Sequence, residues 1–87
     1  MLYVTQDTRM AAYFLLKGLP LLGTEIKYQQ DDERVYLQFE IPDEALTGLK
    51  RDFFENAEVP ALAYANSLKS CMHIVREARE LARESLR

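Results

Sequence analysis

One cysteine and one histidine occur among the 87 residues. With Cys71 alone, no intramolecular disulfide can form, and nothing points to an oxidising compartment. His73 lies two residues from Cys71, and positions i and i+2 of a helix face different sides. The pair therefore makes neither a nucleophile with its base nor part of a zinc site, which needs about four ligands. Basic residues are also scarce. Eleven Lys and Arg stand against fourteen Asp and Glu, for a net charge of −3 and a pI near 5.1. A duplex-binding surface carries a clear basic excess, so nucleic acid is disfavoured as a partner. Of the three glycines, Gly18 and Gly23 follow a helical pattern, whereas glycines that cradle phosphate precede one. The longest apolar-looking run, Met10 to Leu22, is broken by Lys17, Gly18 and Pro20 and is too short to cross a bilayer. The N-terminus lacks a basic segment followed by an apolar run and a small-residue cleavage site, so the expectation is a cytoplasmic protein without membrane association. No cofactor, metal site or catalytic constellation is indicated.

What is present reads as one domain, 1–87, without repeats or linkers, and its 48% hydrophobic content is too high for disorder. Leu2 to Thr5 is a short β-branched and aromatic strand. Thr5 or Asp7 can cap a helix carrying Met10, Ala11, Phe14, Leu15 and Leu16, which Gly18 ends and Pro20 forbids from continuing. From Leu21 to Gln29 the period becomes two, with Leu22, Thr24, Ile26 and Tyr28 on one face. It recurs from Arg34 to Ile41, with Val35, Leu37, Phe39 and Ile41 inside. Between the two runs lies "QDDE", Gln30 to Glu33. It has neither the glycine nor the spacing of a calcium loop, and reads as a solvated hairpin turn. Asp43 is a candidate cap for a second helix carrying Leu46, Leu49 and Phe53, closed by Asn56 and Ala57. Pro60 suits the first turn of a third. The fold class is α+β: a three-stranded, mostly antiparallel sheet in the order 2-3-1, helices on one face, and the chain order β-α-β-β-α-α. The expected core is Phe14, Leu15, Ile26, Leu37, Phe39, Leu49, Phe53, Leu68 and Met72.

The third helix is expected to run from about residue 58 to 86, roughly 40 Å. A globular chain of this length is only about 30 Å across, so the last two turns should overhang. There Ala78, Leu81, Ala82 and Leu86 form a candidate interface. Two antiparallel copies could match Arg76, Arg79 and Arg83 against Glu77, Glu80 and Glu84 while burying these apolar residues. Arg76–Glu80 and Glu80–Arg83 also sit at helical pair spacings.

The segments "YVTQDTRMAAYFLLKGL" and "VYLQFE", with Tyr64-Ala65 before "SLKS", resemble a small family of short bacterial and phage domains of unknown function. The resemblance covers roughly residues 2–75. It implies a phage or mobile-element setting and assigns no activity. The function expected is a non-enzymatic protein-interaction module that self-associates as a homodimer through its C-terminal helix. The alternative is a nucleic-acid-associated regulator acting as a dimer. Tyr3, Tyr28 and Tyr36 lie in strands, as base-stacking residues do, but Glu25 and Glu40 would repel a phosphate backbone.

Overall fold

A carboxylate sets where the first helix begins. The Asp7 Oδ1 accepts from the backbone N–H groups of Arg9 (2.9 Å) and Met10 (3.3 Å), and Thr5 Oγ1 accepts from the Asp7 N–H at 3.0 Å. The two candidate caps thus act in series, Asp7 on the helix and Thr5 on Asp7. The computed structural model describes residues 1–29 and 32–85. Its elements are β1 (Leu2–Thr5), α1 (Thr8–Leu16), β2 (Leu21–Gln29), β3 (Asp32–Glu40), α2 (Asp43–Phe54) and α3 (Ala61–Ser85). The fold is α+β, and the sheet is antiparallel in the order β1-β3-β2, as expected.

Two helices end alike. After α1, Gly18 takes φ +82°, with Gly18 N–H donating to Leu15 O and Leu19 N–H to Phe14 O. After α2, Asn56 takes φ +58°, with Asn56 N–H donating to Phe53 O and Ala57 N–H to Asp52 O. Both are Schellman closures that satisfy carbonyls otherwise left open. The start of α2 differs from expectation. Pro42 occupies the cap position without a side-chain bond, and Asp43 is the first helical residue, where its charge still complements the helix dipole. Helix α3 begins at Ala61 rather than near 58, its first turn closed by Tyr64 N–H donating to Pro60 O at 2.9 Å.

The core forms where α1 lies on the sheet. Ala11, Ala12 and Phe14 of α1, Leu37 and Phe39 of β3, Ile41 and Cys71 are wholly buried. Phe14 meets Tyr3 and Phe39 edge to face, with ring centroids 5.8 and 5.5 Å apart. Leu15, Leu49, Phe53 and Leu68 pack half-buried against this centre. Two expected core positions differ. Ile26 is half-buried opposite Val35, on an edge strand that helices cover incompletely. Met72 is 51% exposed, because the inward row of α3 runs through Tyr64, Leu68, Cys71, Val75, Ala78 and Ala82, which turns Met72 aside. The alternation assigned to β2 also fails at its start. An irregularity in the pairing between Leu21 and Gly23 puts Leu21 opposite Phe39 and leaves Leu22 56% exposed.

The predicted overhang is overturned. The molecule measures 43 × 28 × 21 Å, longer than a sphere of its mass. Strands of nine residues span about 30 Å, so the β2–β3 hairpin extends alongside α3. The C-terminal half of the helix passes beyond α1 and covers the hairpin.

Candidate interaction surface

Strand β1 is four residues long and β3 is nine. Leu2, Tyr3, Val4 and Thr5 pair with Glu40, Phe39, Gln38 and Leu37, and there the pairing stops. The chain leaves the sheet at Gln6 because Asp7 must cap α1. Residues 32–36 of β3 therefore pair with β2 on one side only. Among the described residues no other backbone bond reaches them. Above this open edge runs α3. A groove of about 570 Å³ lies between them, with Gln6 and Thr8 at the end where β1 departs.

One wall of the groove is a ridge of α3. Met72, Arg76, Arg79 and Arg83 recur at spacings of four, three and four, so they share one side of the helix. Val75 and Val35 supply apolar surface below. The opposite wall carries Asp32, Glu33 and Arg34. Arg83 Nε lies 3.7 Å from Glu33 Oε1, fastening the helix to the hairpin, and Arg34 lies 3.7 Å from Asp32. Glu33 is only 20% exposed, and its Oε2 and the Nε of Arg34 are buried without a hydrogen-bond partner among the described residues. Among the described residues Arg76 and Arg79 make no ion pair, although Arg76–Glu80 and Glu80–Arg83 have helical pair spacing. Across the groove, four guanidiniums meet three carboxylates (Asp32, Glu33 and Glu80) among the described residues. This is a local positive excess on a chain of net charge −3.

Of the four residues expected to form an interface, Ala78 is 8% exposed and turned into the molecule, Ala82 is half-buried on the same inward row, and Leu81 is 64% exposed. Leu86 lies outside the described residues. The acidic stretch is divided. Gln30 and Asp31 also lie outside the described residues, while Asp32 and Glu33 belong to β3, where Glu33 serves as the anchor for Arg83. In the sequence alone, Arg76, Arg79 and Arg83 read only as partners for glutamates. Their common spacing with Met72 was the available signal. The early end of β1, which opens the edge, was legible as a length difference between the strands.

Cys71 is wholly buried, and burial pushes its thiol pKa up, away from reactivity. His73 lies on the surface and meets Glu77 at 2.9 Å. Among the described residues no group of three or more metal-ligating side chains gathers, and no helix is long and apolar enough to cross a membrane. Tyr36 lies on the sheet face away from the core cluster with the Lys27 ammonium 4.9 Å from its ring centroid, and Tyr3 is taken up by Phe14. No protein-family model, curated protein or solved structure matches the chain.

Proposed function

We propose that this chain is a non-enzymatic protein-interaction module that takes a segment of a partner into the groove between α3 and β3. The observation that carries this reading is the edge of β3 at residues 32–36, which has no strand partner on the β1 side and opens onto the groove beside α3. Exposed strand edges attract other chains, and proteins blunt those they do not use. The β2 edge is treated that way, with a bulge near Gly23 and the charges of Glu25 and Lys27. The β3 edge carries charges too, at Asp32, Glu33 and Arg34, but it opens onto a groove with an apolar floor and arginines without ion pairs among the described residues. Association with nucleic acid, as a dimeric regulator, is the weaker reading, since four arginines against three carboxylates among the described residues of the groove fall short of the clear basic excess that a phosphate backbone calls for. The phage or mobile-element setting enters from the family resemblance.

Self-association is a second reading, favoured by the exposure of Leu81 on the last turns of α3. With Ala78 inward, it has less apolar surface than two exposed helix faces would offer.

The test is co-purification from the native host with the tagged chain and with an Arg76→Glu, Arg79→Glu variant that melts like the parent. One protein recovered in stoichiometric amount with the parent and lost with the variant is the expected result. Equal recovery with both would contradict the use of the groove.

A further inference from the structure

We infer that the groove binds its partner by strand addition, and that the incoming segment is extended and carries carboxylates on alternate residues. This rests on the reading of the groove as the docking site and adds the mode and chemistry of the partner.

The mode follows from the edge. Each residue of an antiparallel strand offers its N–H and C=O to one neighbour, and successive residues alternate between sides. Residues 32–36 use β2 on one side, so about half of their backbone groups point to the side that β1 vacates. An extended segment entering there continues the line of β1 and satisfies them. Main-chain pairing of this kind supplies affinity while alternate side chains supply specificity. A helix could not reach these groups, because its own are used internally.

The chemistry follows from what lies above the edge. Successive side chains of an added strand point to opposite faces. On the face shared with Glu33 and Val35 they meet Arg76 and Arg79 of α3. Arg83 and Arg34 already have carboxylates within 3.7 Å, whereas Arg76 and Arg79 have none among the described residues. A guanidinium pairs a carboxylate through two parallel N–H groups, and such charge-assisted bonds are the strong ones. Among the described residues the surplus in the groove is one positive charge, since four arginines face three acids. That small surplus suits a few carboxylates on a peptide better than the unbroken row of charges along a phosphate backbone. The apolar floor of Met72, Val75 and Val35 takes an aliphatic side chain between the acids. Half-exposure of Met72 is then the state of a contact residue awaiting its partner.

The experiment uses the full chain and three blocked hexapeptides: one alternating glutamate and valine, one with glutamine for glutamate, and one with proline at alternate positions. Amide exchange and chemical shifts are followed residue by residue. The glutamate peptide is expected to protect amides within residues 33–36 and to shift Arg76, Arg79 and Met72. The glutamine peptide should bind at least about tenfold more weakly, the loss of roughly one charge-assisted bond. The proline peptide should give no protection, because it lacks the donors. Arg76→Gln with Arg79→Gln should reproduce the weakening, and Arg51→Gln on α2 should not. Equal binding of glutamate and glutamine peptides overturns the carboxylate assignment. Protection along β2 instead of β3, or no protection up to millimolar peptide, overturns strand addition. An oligonucleotide that gives the same shifts and displaces the peptide overturns the partner class. Any of these failures, with a partner still lost on Arg76→Glu and Arg79→Glu in co-purification, leaves the docking groove standing. Loss of that discrimination removes the groove itself.

Discussion

Phe39 sits at the meeting point of the sheet and α1, wholly buried and edge-on to Phe14 at 5.5 Å. Phe39→Ala should cost about 3–5 kcal/mol, comparable to the entire stability of a small domain, and chemical denaturation would read it directly. Asn56 is held at φ +58°, a conformation that an alanine side chain disfavours by about 1–2 kcal/mol. Asn56→Ala should therefore destabilise by about that amount while Asn56→Gly does not, measured as a pair of urea midpoints. At Cys71, burial raises the thiol pKa, so the fold favours the protonated form. That contribution is complete below the unfolded thiol's value of about 8.5 and is lost as pH rises from there through the folded value. The melting temperature should fall as pH rises above about 8.5, and that of Cys71→Ala should fall less. The raised pKa of Tyr64, chiefly from burial, adds the same sign of dependence at higher pH.

Elements with a clean period were legible from residues alone. Val35, Leu37 and Phe39 alternate without interruption, and all three are buried. β2 departs from its reading at Leu22, where an irregularity in the pairing, invisible to a period-two pattern, shifts the phase, and at Thr24 and Tyr28, which are exposed on an edge strand that helices cover incompletely. On α3 the apolar residues are too evenly spread to single out Cys71 over Met72. The choice is made by α1, whose Ala11 and Ala12 allow close approach and leave room for a small residue. The overhang was wrong because a sphere was assumed, whereas the nine-residue strands elongate the sheet to match the helix. The groove is legible only in part: the unequal strand lengths and the shared side of Arg76, Arg79 and Arg83 are in the sequence, but that α3 runs beside the open edge of β3 depends on how the elements pack. If the last turns of α3 cover the hairpin, deleting residues 77–87 removes buried Ala78 and half-buried Ala82 and should cost about 1–2 kcal/mol. A melting temperature unchanged by that deletion would show that those turns do not pack.

At the scale of the whole molecule, a short β1 beside a long β3, under a long α3, leaves a strand edge roofed by arginines. Among the described residues, a net acidic chain thus places a surplus of arginine where backbone groups of the sheet face an apolar-floored groove. Self-association through Leu81 is separable from this: light scattering behind a sizing column should give a mass that Leu81→Ser lowers only if that residue joins two copies. The interaction reading stands or falls with the open edge. Amide hydrogen exchange of the free protein, resolved by residue, compares residues 33–36 of β3 with residues 37–40, which β1 covers. Alternate amides within 33–36 should exchange rapidly while those bonded to β2, and all of 37–40, stay protected. Uniform protection across 33–40 would mean that the edge is already filled, and would contradict the account.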